Sequence, residues 1–248
     1  MKQLPTKLKK EPLIDAVFEV RFAAIVSASS VLPGILFREL DGEKSIESLP
    51  IAQVPVQIRE NDQNLRYAPV TKLAWGNFFV QIGDRSLSVL CKLPYPGWGI
   101  FKAAILQIVL AMSRCGIVQL IERFSLKYID IIDLQGVCRP TSLVNLSLML
   151  GNHTLEGETF ALRIEIPDND LIHAINVASY AKAKLQDGSI KEGLILDIDS
   201  IYNTNNVDFA GWISDLEQKL DYLHQANKEV FFDCLRDEAV KMLEPIYD

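Results

Sequence analysis

The sequence predicts an α+β protein made of two pseudo-repeated halves, each with the order strand, helix, three strands, long helix. Three observations support this prediction. Strand-like segments alternate apolar and polar residues, apolar residues recur at helical spacing after them, and a Gly-Trp pair precedes each long helix. The pairs, Gly97-Trp98 and Gly211-Trp212, are separated by 114 residues. These elements favour a mostly antiparallel sheet with the long helices packed on one face.

The order of the elements also suggests where the halves begin and end. We expect an N-terminal arm at residues 1–15, a first repeat at 16–116 and a second repeat at 117–248. A chain of 248 residues can bury roughly 70–75% of its unfolded surface, so it needs neither disulfides nor metals for stability. We therefore expect both repeats to belong to one compact unit.

The first half opens with a strand at 16–22, in which apolar residues alternate strictly with Glu and Arg. A short helix is predicted at 30–40, and an Asp-Gly turn ends it. Three strand-like runs then precede the long helix that begins at Trp98. These runs lie at 54–60, 65–75 and 77–92.

The second half repeats this order. A strand at 123–132 precedes a short apolar helix candidate at 142–150. Two of the three runs that follow flank Asp187-Gly188, a dipeptide typical of hairpin turns. Asp208 is predicted to cap an acidic C-terminal helix that extends to residue 248. The three runs lie at 160–166, 171–185 and 193–202.

Charge is distributed unevenly along the chain. The net charge is −7, and the segment 208–248 carries ten acidic residues against four Lys or Arg. Binding of nucleic acid without sequence preference depends on clustered Lys and Arg, so direct binding of nucleic acid is not favoured. The acidic segment instead favours a basic protein partner, because complementary charge accelerates encounter.

The cysteines and the apolar segments indicate the compartment. The four cysteines form no CxxC motif and no short cluster, which is typical of reduced thiols in a cytosolic protein. The most apolar run, 103–112, is far shorter than the roughly 20 residues that span a bilayer, and no export signal is visible. We therefore expect a cytoplasmic protein without a membrane segment.

The common catalytic motifs GxSxG, HExxH, GxxxxGK and GxGxxG are absent. Asp197 and Asp199 share a strand face, where they either bind a divalent metal, divide acid and base roles, or form the solvated face of a hairpin. His224 lies on a predicted helix, as either a packed residue or a functional group. From these patterns we assign no catalytic residue, no metal ligand and no cofactor.

Two further groups of residues are candidates for binding. Arg21, Arg123 and Lys127 lie on or near the polar faces of the two opening strands. They line a shared groove if the halves pair symmetrically, or they form exposed cross-strand ion pairs. Trp98 and Trp212 either form a recognition surface or attach their helices to the sheet, where glycine permits a close approach.

Four segments of the chain resemble a sporadically distributed family of uncharacterised bacterial proteins of about 250 residues. The opening Pro12–Phe22 matches the motif Pro-Leu-x-x-Ala-Val-Phe-Glu-hydrophobic-Arg-Phe that identifies the family. The segment 127–130 reads Lys-Tyr-Ile-Asp where the family usually has Arg-Tyr-Ile-Asn. The remaining matches are the segment around Trp98 and the C-terminal segment 223–243. The resemblance implies no established activity. The patchy distribution of the family resembles that of mobile, defence or toxin–antitoxin genes.

These observations leave three hypotheses. The first is a non-enzymatic interaction protein, antitoxin-like or accessory to a defence system, that binds a basic partner and forms a possible homodimer. The second is an enzyme, or a protein that binds a small molecule or a metal, with a cleft between the halves and with Asp197, Asp199 or His224 in it. The third is nucleic-acid binding on a concave sheet through Arg21, Arg123 and Lys127.

Overall fold

The computed structural model describes residues 3–134, 136–137, 139–185 and 187–247. The chain divides into two compact units. Unit 1 comprises Met1–Ile14, Lys127–Ser200 and His224–Asp248, and unit 2 comprises Asp15–Leu126 and Ile201–Leu223. Three strands and one helix run from one unit into the other, so neither unit is a continuous segment of the chain.

The strands are β1 (Lys7–Leu8), β2 (Leu13–Ala24), β3 (Lys44–Ser48), β4 (Pro69–Trp75), β5 (Phe78–Gly83), β6 (Ser86–Cys91), β7 (Val118–Ile132), β8 (Met149–Leu150), β9 (His153–Thr154), β10 (Ala161–Asp168), β11 (Leu171–Lys184), β12 (Ile190–Asp208) and β13 (Pro245–Ile246). The α-helices are α1 (Leu32–Glu39), α2 (Val56–Asn61), α3 (Trp98–Ser113), α4 (Phe209–Ser214), α5 (Leu216–Cys234) and α6 (Asp237–Met242). Short 3-10 helices lie at Ala28–Ser30, Pro50–Gln53 and Pro140–Ser142. The prediction of an α+β fold with a large antiparallel sheet is confirmed.

Unit 2 has the strand order β12-β7-β2-β6-β5-β4-β3. Its core follows the alternation predicted for β2, because Phe18, Val20 and Phe22 are fully buried while Glu19 and Arg21 are half-buried. The pairing of Val20 with Leu87 sets the register between β2 and β6. Helix α3 contacts both α1 and α4, and its most deeply buried side chains are Phe101, Ile105, Ile108 and Met112.

Unit 1 has the strand order β10-β11-β12-β7. One apolar cluster joins its strands to α5 and α6, which is the packing of helices on a sheet. The predicted hairpin turn between β11 and β12 is present, with Gly188 at φ +86° and the Ser189 amide donating to Asp187 Oδ1. The cluster contains Ile175, Val177, Leu194, Leu196, Ile198, Phe231, Leu235, Ala239 and Val240.

The prediction of a strand at 54–60 is wrong, because most of this segment forms α2. A contact with a distant residue favours the helix. Arg59 donates two hydrogen bonds to the buried carboxylate of Asp84, over 2.7 and 3.1 Å, and a third to the Val54 carbonyl. The run at 77–92 is in fact two strands, β5 and β6. The edge strand β3, at Lys44–Ser48, was not predicted.

The prediction of a helix at 142–150 is also wrong. Val144 forms a β-bridge with Leu235. On either side of it, the Asn145 amide donates to the Cys234 carbonyl over 2.8 Å and the Arg236 amide donates to the Leu143 carbonyl over 3.0 Å. These bonds join residues 143–145 to a distant segment of the chain, so tertiary pairing overrides the apolar helical pattern.

The same contact interrupts the acidic helix predicted from Asp208. That segment contains α4, α5 and α6, followed by β13, which pairs with β1. Asp208 does cap a helix, as its carboxylate accepts from the amides of Ala210 and Gly211. Helix α5 ends where Leu235 pairs with Val144.

Candidate functional site

The structure brings Arg21 and Arg123 together on one carboxylate in unit 2. Arg21 Nε donates to Glu19 Oε1 over 2.7 Å, and Arg123 Nη2 donates to the same oxygen over 3.0 Å. All three side chains are about one quarter exposed. Partial burial limits the screening of such pairs by salt, so Glu19 holds both cations within the unit and balances one of their two charges.

A tyrosine and a third arginine complete this group. The Arg21 guanidinium lies 4.4 Å from the centre of the Tyr67 ring, and the Arg66 guanidinium lies 5.6 Å from it. The Tyr67 hydroxyl donates to Glu122 Oε2 over 2.6 Å. Burial and the bond to Glu122 raise the pKa of Tyr67. We call this group the arginine cluster, and its members are Glu19, Arg21, Arg66, Tyr67, Glu122 and Arg123.

The arginine cluster has three cations and two carboxylates. Each carboxylate contacts an arginine, so the cluster is an ion-pair network with one excess positive charge. Arg66 and Tyr67 were included in the strand-like run predicted at 65–75, and they were not singled out as binding residues; the structure places them in the turn before β4. The adjacency of Arg66 and Tyr67 in the sequence was the available signal.

Lys127 lies in unit 1, where its Nζ is 3.0 Å from Asp197 Oδ2. Asn176 Nδ2 donates to the same carboxylate oxygen over 3.2 Å. Asp197 is therefore held by a cation and an amide. Within the described residues, no group of three or more His, Cys, Asp or Glu side chains is arranged to hold a metal ion, and this includes the surroundings of Asp199.

The two tryptophans differ in their surroundings. Trp212 is fully buried in unit 2, between Phe124 and Phe209, with ring centres 5.4 and 5.9 Å away. Trp98 is half-buried at the first position of α3, and its indole N–H donates to Asp221 over 2.8 Å. Trp212 thus packs in the core, while Trp98 joins α3 to α5 by a polar contact at the surface.

His224 lies in unit 1 and is half-buried, with its ring edge-on to Tyr128 at 6.0 Å. A more extensive histidine network lies elsewhere in unit 1. His173 Nδ1 and Ser200 Oγ are 2.9 Å apart, and Asn227 donates to Ser200 Oγ over 2.9 Å. His173 Nε2 lies 3.6 Å from Asp168. Sequence reasoning missed this network because its members come from four separate elements, β10, β11, β12 and α5.

The network has the residue types of a hydrolase triad but lacks access. His173 and Ser200 are 1% and 0% exposed, and Asn227 is 2% exposed. A nucleophile must meet its substrate at bonding distance, which this burial prevents. Asn227 also donates to the Ile198 carbonyl over 3.0 Å, so the network connects α5 to β12.

Two carboxyl groups in unit 1 have raised pKa values beside an open cleft. Burial raises the pKa of Asp130 to about 8, and the nearby Glu11 charge adds to the effect. Burial also raises the pKa of Glu11, against the opposing charges of Lys7 and Lys191. Glu11 and Lys191 line the cleft, whose volume is about 700 Å³.

A second cavity of unit 1, of about 470 Å³, lies where α5 ends and α6 begins. Asp233 and Asp237 contribute carboxylates to its wall, and Phe232 and Tyr247 contribute aromatic rings. Among the described residues that line the wall, Arg236 is the one cation, and its Nε donates to the Val144 carbonyl over 2.9 Å. We call this cavity the acidic cavity.

None of the three described cysteines forms a disulfide, and burial disfavours the ionisation of their thiols. Burial raises the pKa of Cys91 far above its usual range, raises that of Cys115, and raises that of Cys234 to about 11. A thiol needs a lowered pKa to act as a nucleophile at neutral pH. These three cysteines therefore do not form a reactive site. Cys138 lies outside the described residues.

No described helix is both long enough and apolar enough to cross a bilayer. The chain matches no model of a known protein family, and a comparison with curated proteins finds no match either.

Proposed function

We propose that this protein is a non-enzymatic interaction protein that binds a basic protein partner through the acidic cavity of unit 1. The observation that carries the proposal is the composition of the cavity wall, in which Asp233 and Asp237 lie beside Phe232 and Tyr247. A Lys or Arg side chain suits this combination, because carboxylates pair with its charge and aromatic faces attract it.

The surroundings of the cavity support the same partner chemistry. Asp233, Asp237 and the neighbouring Glu238 are all exposed. Arg236, which also lines the cavity, already donates to a backbone carbonyl. Carboxylates at a rim attract a basic partner at long range and increase the rate of association.

The other candidate sites favour binding over catalysis. Asp197 is paired with Lys127, and the buried network of His173 and Ser200 has no access to solvent. Enzymes hold a nucleophile or base where the substrate can reach it. An antitoxin or a defence accessory protein fits this pattern, since such proteins act by occupying a basic partner rather than by catalysis.

A binding titration tests the proposal. A lysine-rich peptide should shift the backbone amide resonances of 232–237, and a glutamate-rich peptide of equal length should not. Asp233→Lys should weaken binding of the lysine-rich peptide at least about tenfold, because it replaces attraction by repulsion. The control is Asp170→Lys, which makes the same charge change in the exposed turn after β10. Equal binding by both variants would contradict the proposal.

The natural partner is then sought with the same variants. Chemical cross-linking in the host should join a basic protein to Lys228 or Lys241, which lie on α5 and α6. The cross-link should disappear in Asp233→Lys and persist in Asp170→Lys. Cytoplasmic residence is part of the proposal, and the free thiols of Cys91, Cys115 and Cys234 support it.

A second candidate function is small-molecule binding in the cleft lined by Glu11 and Lys191. The raised pKa values of Glu11 and Asp130 favour it, because groups with perturbed pKa values cluster at functional sites. Native mass spectrometry of protein purified from its host tests this function. A retained small molecule that is lost in Lys191→Ala would support it, and the absence of any retained mass would count against it.

We also infer that the two halves arose as pseudo-repeats. In the first half β2 neighbours β6, and the order continues through β5 to β4. In the second half β7 neighbours β12, and the order continues through β11 to β10. The opening strand therefore pairs with the third strand of a meander in both cases, which supports a common origin.

A further inference from the structure

Strand β10 is an edge strand that exposes two isoleucines. It is the last strand in the order of unit 1, so β11 covers one of its edges and no strand of the described chain covers the other. Its residues are almost all exposed, including Ile164 at 37% and Ile166 at 44%. An exposed edge of eight residues is a template for pairing with another strand.

The register with β11 shows which backbone groups point outward. The Ser179 amide donates to the Phe160 carbonyl over 3.0 Å, and the same register places Ile164 opposite Ile175. Hydrogen-bonded and non-hydrogen-bonded pairs alternate along an antiparallel ladder. The even-numbered residues of β10 therefore bond to β11. The amides and carbonyls of Arg163 and Glu165 point to the open edge.

We propose that the protein forms a homodimer in which β10 pairs antiparallel with β10 of a second copy, centred on Ile164. This register places Arg163 opposite Glu165 of the second copy, and Glu165 opposite Arg163. Both residues have outward backbone groups, so these positions form hydrogen-bonded pairs. With Ala161 opposite Pro167, the ladder contains about six hydrogen bonds.

Charge complementarity selects a second copy as the occupant. Arg163 Nη2 lies 2.7 Å from Glu165 Oε1 within one strand. In the proposed pair, each side chain also faces an opposite charge directly across the ladder, an arrangement that stabilises antiparallel strands. Any register shifted by two residues loses one or both of these pairs, so the sequence specifies the two-fold register.

The apolar face of β10 is complementary in the same register. Ile164 stands opposite Ile164 of the second copy, and Leu162 stands opposite Ile166. Ile164 is then flanked by Ile175 of β11 on one side and by Ile164 of the second copy on the other. A two-fold pair also covers the open edge of β10 in both copies at once, so the contact closes and does not propagate.

Cysteine cross-linking tests the register. In a non-hydrogen-bonded antiparallel pair the Cα atoms lie about 4.5 Å apart, which suits a disulfide. Ile164→Cys should therefore give a covalent dimer under mild oxidation. Ile166→Cys is the matched control, because the two copies of residue 166 would lie about 14 Å apart. Wild-type protein controls for the native cysteines.

Charge exchange tests the interface without cysteine. Either Arg163→Glu or Glu165→Arg alone should raise the dimer dissociation constant about tenfold or more, because like charges then face each other across the ladder. The double variant R163E/E165R should restore the wild-type constant. A mixture of the two single variants should form a heterodimer, since one strand is then acidic and the other basic.

Sedimentation velocity and native mass spectrometry measure these outcomes at micromolar protein, with circular dichroism as a check on folding. Glu192→Lys is a further control, as it disrupts the exposed pair with Lys182 away from the edge. A wild-type monomer at about 200 µM would overturn the proposal, because even weak specific interfaces assemble at that concentration. A dimer that cross-links equally through residues 164 and 166 would also overturn it.

Discussion

Asp84 is a buried carboxylate of unit 2 that accepts several hydrogen bonds. Its carboxylate accepts two hydrogen bonds from Arg59, one from Ser27 and one from Ser29 over 2.6 Å. The side chains of Asp84 and Arg59 are 1% and 7% exposed. Burial opposes the ionisation of Asp84, but the bonds from Arg59, Ser27 and Ser29 outweigh it and lower the pKa of this carboxyl.

Asp84→Ala is expected to lower the free energy of unfolding by about 3–5 kcal/mol, because it leaves the Arg59 guanidinium buried without a counter-ion. Chemical denaturation measures this loss. The double variant Arg59→Met with Asp84→Ala should recover part of the loss, since it removes both charges from the interior. If the single variant is as stable as wild type, the pair does not hold α2 on the sheet.

The same pair predicts a dependence on pH. A carboxyl whose pKa is lower in the folded than in the unfolded state stabilises the fold above the unfolded value, near pH 4. That contribution to stability is lost as the pH falls through the pKa that Asp84 has in the folded state. The midpoint of thermal unfolding should therefore fall more steeply below pH 4 in wild type than in the Arg59→Met, Asp84→Ala double variant.

The raised pKa of Asp130 predicts the opposite dependence of stability on pH. Its pKa is raised from an ordinary value near 4 to about 8, so the folded state binds a proton that the unfolded state releases. Stability should therefore fall as the pH rises from about 4 to about 8. Asp130→Asn removes this dependence and should raise the thermal midpoint at pH 8 by about 5 °C or more, with a smaller change at pH 5. Equal midpoints for both proteins at pH 8 would contradict the prediction.

At the scale of elements, the two Gly-Trp helices attach to the fold differently. Trp212→Ala should cost about 3–5 kcal/mol, because it opens a cavity beside Phe124 and Phe209. Trp98→Phe should cost only about 1 kcal/mol, since it keeps an aromatic ring and loses the bond to Asp221. Equal costs, measured by denaturant unfolding, would mean that the two tryptophans are equivalent.

Gly193 and Gly99 differ in the space that a side chain would have. Gly193 lies close to the neighbouring strand, and Gly99 lies at an open position of a helix. A Cβ at Gly193 would lie 2.8 Å from Ile131 Cγ2 and would also meet the Ile132 carbonyl, so Gly193→Ala should cost about 1–3 kcal/mol. Gly99 lies in α3, where an added Cβ would meet no neighbouring atom within 4 Å, and Gly99→Ala should stabilise by about 0.5–1 kcal/mol. Thermal unfolding of the two variants should move in opposite directions.

At the scale of the whole molecule, acidic charge governs association. The net charge is −7 and the isoelectric point is near 5.1. The rate of association with a lysine-rich peptide should therefore fall as salt rises from about 0.05 to 0.5 M, because screening shortens the range of attraction. The dissociation rate should change less. A salt-independent association rate in surface plasmon resonance would exclude electrostatic steering.

Part of the acidic segment is already paired within its own unit. Glu217 and Asp221 lie 3.2 and 2.9 Å from Lys102 in unit 2, and Glu244 lies 3.0 Å from Lys10 in unit 1. The count of ten acidic residues therefore overstates the charge available to a partner. In the acidic cavity, Asp233 and Asp237 lie with Phe232 and Tyr247 in one wall.

Local patterns predict the elements whose residues alternate or recur over a long stretch. Strand β2 follows its alternation, α3 follows its helical spacing, and the Asp187-Gly188 turn forms because glycine adopts positive φ without strain. These features depend on neighbouring residues, and neighbours are visible in a sequence. The predictions at 54–60 and 142–150 failed because short apolar runs fit a strand and a helix equally well.

Contacts between distant residues determine the rest. Asp84 holds Arg59 from 25 positions away and turns its segment into a helix, and Val144 and Leu235 end α5 by pairing across 91 residues. The arginine cluster, the buried histidine network and the acidic cavity likewise arise only when separate elements pack together. A sequence shows which side chains can form such contacts. The free energy of packing and of buried polar pairs decides which of them form.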